Sequence, residues 1–535
     1  MNLLLSILKY PRWVASLPFI CSLALDISYL SISDAAPIPA PIGQSVPASI
    51  GLNKFDLFKQ YLGTASGGDG GMSYRRVTQG MAKKAIADAH DIGVLYLRIS
   101  ATGYAPSAYG EPGDLDLWRN DPSAYWALFD QMMDDLHAQD MRAVLTLVWH
   151  SAQLPAMTGE TIPMMLQDPG SKSYTLLSQY VAELVSRYRT HPALMFYELT
   201  NEMNLGADRD SVGYCLENKR QESCNAKGNY TTEDAIVFTR RLAALIRKID
   251  TAHPISSGFS LPRPNAQGLR ENPEWQGKQR AKADTREQLQ QYLGDINQAV
   301  DIISVHLYEK ESTRRFGSGD SVDLLAILRS AADRIGKPLF VGEFGNRDAL
   351  SEDESSFTDR MLRKIVELRV PYSAIWIWEF YQKNPYTTHE TKPDSFSLEP
   401  GYTDNLIAKI KEANKALGNP VPAPKGDDTN APRLVLTWPI ECAILKGMQK
   451  IYAVASDDRG KVNRVEFWLD GSKLGADDAP PYEIDLSTHS LAKGDHEIIA
   501  KAFDLAGNQS EWKTQVLIGK PTKAESFCAN DVGRH

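Results

Sequence analysis

Glu202 and Glu343 each sit at the end of an apolar run, LMFYELTNE (Leu194 to Glu202) and PLFVGEFG (Pro338 to Gly345). An apolar run of this length that reaches a carboxylate and passes into polar loop reads as a buried parallel strand with a functional carboxyl end. Two carboxylates brought to one cleft can cleave a glycosidic bond, one donating a proton and the other acting as nucleophile or base. The pair points to an enzyme, and the remaining elements must explain how two glutamates so distant in sequence meet.

From Gly51 to about Gly418, strand-like runs alternate with helical patterns, the signature of βαβ units. Eight strands are expected: GLNKFDLF from Gly51, Val94–Ser100, Arg142–His150, Leu194–Glu202, Ile255–Leu261, Asp301–Tyr308, Pro338–Gly345 and Tyr372–Phe380. Stretches between them, such as SYTLLSQYVAELVSRYRTHP, carry apolar residues at helical spacing. Asp121 before Pro122, and Thr232 with Glu233 and Asp234, supply helix starts. The fold class expected is α/β, a (β/α)8 TIM barrel followed by a small all-β sandwich. A doubly wound sheet is the rival, but GTASGGDGG (Gly63 to Gly71) lacks the phosphate-loop spacings of that architecture.

The expected boundaries are a signal peptide over 1–36, the barrel over 37–418, a Pro- and Asp-rich linker over 419–433, a sandwich over 434–520 and a tail over 521–535. Beyond the linker the apolar pattern changes to period two, in LVLTW, KIYAVAS, VEFWLDG, YEIDLS, HEIIAKAFD and TQVLI. Turn residues separate these runs, as an antiparallel sandwich requires. VNRVEFWLDGSKLG and HEIIAKAFDLAGNQS resemble bacterial immunoglobulin-like domains appended to secreted enzymes. Such a module could bind polysaccharide, act as a spacer or pack on the barrel, and Trp438 and Trp512 do not decide between these.

In a barrel the carboxyl ends of the strands converge on one mouth. The residues expected there are Arg98, Trp149 and His150, Asn201 and Glu202, His306 and Tyr308, Glu343, and Trp376 and Trp378. The succession YLRIS, LVWH, YELTNE, SVHLY, VGEFG and IWIWE resembles clan A glycoside hydrolases, most closely family 5, the cellulases and β-mannanases, over approximately residues 50 to 418. The resemblance implies a retaining mechanism with Glu202 as acid/base and Glu343 as nucleophile. It departs from the family at Met203, where Pro commonly follows the acid/base, and this loosens the assignment of substrate.

The residue chemistry agrees with these roles. Glu202 needs a raised pKa to donate a proton, through burial and the neighbouring Glu343. Arg98 and the Tyr308 hydroxyl suit hydrogen bonding to Glu343 and a low pKa there. Asn201 can bond a sugar 2-hydroxyl, and His150 and His306 can bond the sugar or orient Glu202. Trp378, or alternatively Trp149 or Trp376, offers a face for a pyranose ring. Each also has a structural alternative: Trp376 can fill the core, and Glu198 reads as a buried carboxylate with a partner rather than a catalyst. Glu309 and Glu379, offset by one residue from Tyr308 and Trp378, should point away from the barrel axis. Long loops over Ala101–Asn120, Ser151–Ser171, Met203–Tyr230, Pro262–Thr285 and Tyr381–Pro400 suit an oligomeric sugar.

A chain of 535 residues exceeds one ordinary core. With 43% hydrophobic and 23% charged residues it has the composition of a soluble globular protein. A net charge of -9 and a pI near 5.7 argue against nucleic acid as partner. Lys9 and Arg12 before the apolar Trp13–Leu25 stretch, then SDAAPIPAP, give the layout of a secretory signal, with Pro18 and Asp26 leaving it short of a membrane span. In an exported chain Cys215 with Cys224, and Cys442 with Cys528, are candidate disulfides. No CxxC pair with a second ligand cluster suggests zinc. The expectation is a secreted monomeric enzyme acting on polysaccharide or oligosaccharide without metal or other cofactor, probed against two alternatives: a non-catalytic carbohydrate-binding or cell-wall-associated barrel, and a transglycosylase using the same glutamates.

Overall fold

The computed structural model describes residues 48–63, 72–102, 114–211, 228–277, 282–309, 315–346, 356–380, 394–423, 426–519 and 528. The signal segment, Cys215 and Cys224 lie outside them. Eight parallel strands form one sheet: β1 (Ser49–Asn53), β2 (Tyr96–Ser100), β3 (Arg142–Thr146), β4 (Leu194–Glu198), β5 (Ile255–Ser256), β6 (Ile303–Tyr308), β7 (Leu339–Gly345) and β8 (Tyr372–Ile375). Their order is β5-β4-β3-β2-β1-β8-β7-β6. A parallel bridge from Ser256 to Ile302 joins the two outer strands and closes the barrel.

The expected strands overrun at their carboxyl ends. β3 stops at Thr146 rather than His150, β4 at Glu198 rather than Glu202, β5 at Ser256 rather than Leu261, and β8 at Ile375 rather than Phe380. Past these strand ends the apolar run continues into packed turns that still carry single interstrand hydrogen bonds, such as Leu147 N–H to Glu198 O and Leu199 N–H to Ser256 O. The first run is also shorter: its LNKFDLF portion leaves β1 after Asn53, and Leu57–Leu62 forms α1, closed by Gly63 in the left-handed region at φ 71°. Helix Pro122–Ala138 starts as expected, with Asp121 accepting from the Ala124 N–H and Pro122 in the first turn. Helix Thr232–Arg247 is capped one residue earlier than expected, by a Thr231–Asp234 capping box.

After the linker, two antiparallel-type sheets pack face to face. One has the order β10-β16-β15-β12-β13 and the other β14-β11-β9, with β9 at Arg433–Trp438, β10 at Ile444–Leu445, β11 at Met448–Ser456, β12 at Arg464–Leu469, β13 at Ser472–Asp477, β14 at Tyr482–Ser487, β15 at Gly494–Phe503 and β16 at Gln509–Ile518. Leu436, Ile451, Phe467, Ile498 and Val516 fill the space between them. A Cys442–Cys528 disulfide, Cα atoms 5.3 Å apart, ties the turn after β9 to the tail.

The sandwich packs on the barrel. Val77 and Met81, from helix α2 (Met72–Asp91), meet Val435 of β9 and Val454 of β11. The Arg76 guanidinium lies over the Trp512 ring at 4.7 Å. Next to this apolar patch is a buried ion cluster: Asp88 accepts from Arg433 Nε and Ser456 Oγ, both at 2.7 Å, and pairs with Lys84 at 2.8 Å. Lys84 in turn pairs with Glu379 at 3.1 Å, just past β8. Glu379 thus faces the helices rather than the barrel axis. Among the described residues no helix is long and apolar enough to cross a membrane.

Candidate active site

Strand β2 alternates so that Tyr96 and Arg98 face the barrel interior, and Arg98 becomes the hub of the site. It is fully buried, and all five of its N–H donors have partners. Nε donates to Glu198 Oε1 at 2.7 Å, and Nη2 lies 2.6 Å from the same oxygen. Nη1 donates to Asn53 Oδ1 at 3.0 Å and to Glu343 Oε1 at 2.8 Å, while Nη2 donates to Asn201 Oδ1 at 2.8 Å. Burial works against the guanidinium charge, but Glu198 and Glu343 outweigh it and hold the pKa above its ordinary range.

A register shift between β6 and β7 places Glu343. Val305 pairs with Val341, but His306 pairs with Glu343, leaving Gly342 as the extra residue. Only glycine fits there, since a Cβ would stand 2.8 Å from His306 Nε2. Glu343 is therefore aimed at the residues of β6. Tyr308 donates its hydroxyl to Glu343 Oε2 at 2.7 Å, and His306 Nδ1 lies 3.6 Å from the same oxygen.

Glu202 is four residues beyond the end of β4, in the left-handed region at φ 53°. The turn is held by Asn201 N–H to Val148 O at 3.0 Å and Glu202 N–H to Gly258 O at 2.8 Å. Gly258 makes this approach possible: its φ is +71°, and a Cβ would fall 1.6 Å from Thr200 O. The Glu202 carboxyl is partly exposed and meets His306 Nδ1 at 2.9 Å.

The electrostatics separate the groups. Burial raises the Glu202 pKa against the pull of Ser260, Arg98 and Arg263. Burial, with the neighbouring Glu202 charge, raises Glu343 against His306, Arg98 and Tyr308, so the two carboxyl groups do repel but the low value expected at Glu343 does not hold in the free site. Burial pushes His306 down to about 4, making it a neutral imidazole above that pH. Burial and then the Glu343 charge push Tyr308 far up, keeping its proton available for donation.

The aromatic residues are arranged differently from the sequence expectation. Trp378 is fully buried and donates its indole N–H to Ala85 O at 2.9 Å. It is core and offers no face to a sugar, because β8 ends at Ile375 and strand alternation does not extend to it. Trp149 is also buried, stacked on Phe55 at 5.3 Å with the Arg98 guanidinium 4.7 Å from its ring. Trp376 is half-buried at the mouth, its ring nearly parallel to Phe55 at 5.4 Å and to Trp149 at 6.2 Å. His150 is half-buried after β3, its Nδ1 accepting from the Ala152 N–H at 3.2 Å. Sequence reasoning missed Asn53 and Phe55, which lie at and just beyond the end of β1. Both fall within the GLNKFDLF run, whose pattern marks a strand but singles out neither residue.

Glu202, His306 and Glu343 also form a group whose ligand atoms lie within 4.8 Å of one another and could hold a metal ion. Both Glu343 oxygens already take strong hydrogen bonds, from Arg98 and Tyr308, and the guanidinium charge opposes a second cation. The same closeness suits acid–base and nucleophilic work without a metal.

Two carboxyl groups at the carboxyl end of a (β/α)8 barrel, one bonded to an arginine and a tyrosine and the other beside a histidine, suit glycosidic bond cleavage. The cellulase family, glycosyl hydrolase family 5, matches residues 69–382, more than half of the chain. The protein belongs to that family and is a glycosidase. A bacterial Ig domain matches residues 432–500. Among solved structures, an endo-beta-1,4-mannanase from Thermotoga petrophila is 16% identical, with 89% of this chain and 99% of that one covered and a TM-score of 0.45. An endo-1,4-beta-mannanase from Rhizomucor miehei is 14% identical, with 69% and 94% covered and a TM-score of 0.46. Identities this low carry no information about substrate. No curated protein sequence matches the chain.

Proposed function

We propose that this chain is an exported, retaining β-glycoside hydrolase that cuts within β-1,4-linked glucan or mannan chains. The observation that carries the mechanism is the closeness of the two carboxyl groups: oxygens of Glu202 and Glu343 lie within 4.8 Å of one another. Retaining enzymes hold their carboxyl groups about 5 to 5.5 Å apart, whereas inverting ones leave about 6.5 to 9.5 Å for a water.

In the first step a Glu343 oxygen attacks the anomeric carbon, the glycosidic C–O bond breaks, and the Glu202 proton passes to the leaving oxygen. In the second, Glu202 takes a proton from water, the water oxygen attacks the anomeric carbon, and the ester bond breaks to return the Glu343 carboxylate. Arg98 and Tyr308 hold Glu343 in line through both steps. Asn201, fixed through its Oδ1 by Arg98, is placed to bond the sugar 2-hydroxyl. Trp376 takes the stacking role expected of Trp378, and neutral His306 orients Glu202. His150 stands at the edge of the cleft.

Export is supported by the Lys9, Arg12 and Trp13–Leu25 layout and by the Cys442–Cys528 bridge. The long loops expected after the barrel strands support an oligomeric substrate. Incubation with a panel of β-glucans and β-mannans, with product sizing and NMR of the first-formed anomer, tests the reading. Oligosaccharides of several lengths with retained β configuration are expected. Binding without hydrolysis, or an inverted anomer, would overturn it.

A further inference from the structure

Glu198, expected from the sequence to be a buried carboxylate with a partner, has as that partner the guanidinium that holds Glu343. It is fully buried, and its Oε1 accepts from Arg98 Nε, Arg98 Nη2 and Thr146 Oγ1, the last at 2.7 Å. Its Oε2 has no hydrogen-bond partner among the described residues, so the carboxylate is committed to Arg98 on one side only. Asn53 braces the opposite edge of the guanidinium, its Nδ2 donating to Gly342 O at 2.9 Å and Ala374 O at 3.1 Å. The planar fork is therefore fixed from two sides before it reaches Glu343.

We infer that Glu198 is a positioning residue for the nucleophile, acting through Arg98 both as the anchor of the guanidinium and as the counter-charge that keeps Glu343 reactive. This inference rests on the reading of Glu343 as nucleophile. A lone buried Arg98 would place a full positive charge on Glu343 and stabilise its anion at the expense of its nucleophilicity. With Glu198 on the far side, the Arg98–Glu198 pair is neutral in sum, and Glu343 is held by directed hydrogen bonds from Arg98 Nη1 and Tyr308 rather than by net field. The titratable groups around Glu343 are Arg98 on β2, Glu198 on β4, Glu202 beyond it, and His306 and Tyr308 on β6. Glu198 is the one that bonds the guanidinium on the side away from Glu343.

Glu198→Gln keeps the shape and removes the charge, and Glu198→Asp keeps the charge and withdraws the anchor. The readout is kcat/KM against pH on the polysaccharide that the unmodified chain hydrolyses, with folding checked by circular dichroism. The acid limb follows ionisation of Glu343, so losing the Glu198 charge should move it to lower pH by about one unit, with a plateau about tenfold lower. Glu198→Asp should lower the plateau about tenfold with the limb unmoved, since only geometry changes. A Glu198→Gln limb at the parent position overturns the inference. Should that variant not fold, parent-like kcat/KM in Glu198→Asp overturns it instead. Absence of any hydrolysis by the unmodified chain is a different result, one that rejects the proposed function itself.

Discussion

Arg433→Met removes the sandwich's charged grip on the barrel. The residue donates to Asp88 at 2.7 Å and also pairs with Asp91. Stripping one partner from a buried ion pair costs about 3 to 5 kcal/mol. Here Asp88 keeps Lys84 and Ser456, and the Arg433 side chain is 27% exposed, so the cost falls to about 2 to 3 kcal/mol. Unfolding entropy of about 2.1 cal/mol/K per residue turns this into a melting shift of roughly 2 to 3 °C if barrel and sandwich unfold together, but more than about 10 °C if the sandwich, roughly 90 residues, melts alone. The apolar contact of Val77 and Met81 with Val435 and Val454 argues for joint unfolding. Scanning calorimetry of the full chain should therefore give one transition displaced by the smaller amount. The displacement also depends on pH. Burial alone would raise the Asp88 pKa, but Lys84 and Arg433 outweigh it and hold the carboxyl below its ordinary value of 3.8. The stabilisation is thus present above that value and lost as pH falls through the lowered one, so parent and variant should converge in acid. An unchanged melting temperature at neutral pH, or a separate early transition in the parent, would refute the reasoning.

Three further outcomes follow from the site. Glu202→Gln should cost about 100- to 10,000-fold on substrates with poor leaving groups and far less on aryl glycosides that need no proton, as kcat measured across a leaving-group series would record. Trp376→Ala should raise KM for oligosaccharides by about tenfold with the fold intact, whereas Trp378→Ala should destabilise the barrel by about 3 to 5 kcal/mol in denaturant unfolding. The kcat/KM profile should be bell-shaped with its optimum above 4.5: activity is lost as pH falls through the raised Glu343 pKa, and again as pH rises through the raised Glu202 pKa. An optimum below 4.5 would contradict that balance.

The barrel was legible in the sequence because strand burial on both faces leaves unbroken apolar runs, and the polar residue at each run's end marks the mouth. Arg98, Glu202, His306, Tyr308 and Glu343 were found this way and do converge. The exact strand ends were not legible, because the packed turns beyond β3, β4, β5 and β8 are as apolar as the strands. That misjudgement placed Trp378 at the mouth beside Trp376, when Trp378 is buried and Trp376 is the one left half-buried there. Asn53 was missed because a single amide after a short strand carries no periodic signal. The Glu198–Arg98 pair needs two strands' register, which sequence spacing does not provide. In the sandwich, β10 is two residues long and β13 is a polar edge, so neither has an apolar pattern to read.

The central claim is that Glu343 forms a covalent glycosyl intermediate. Treating the chain with an activated 2-deoxy-2-fluoro β-glycoside and mapping the adduct by peptide mass spectrometry tests it most directly. A single sugar ester on the peptide containing Glu343, absent in Glu343→Gln, is the predicted result. Hydrolysis of polysaccharide with no adduct and an inverted product would contradict the account.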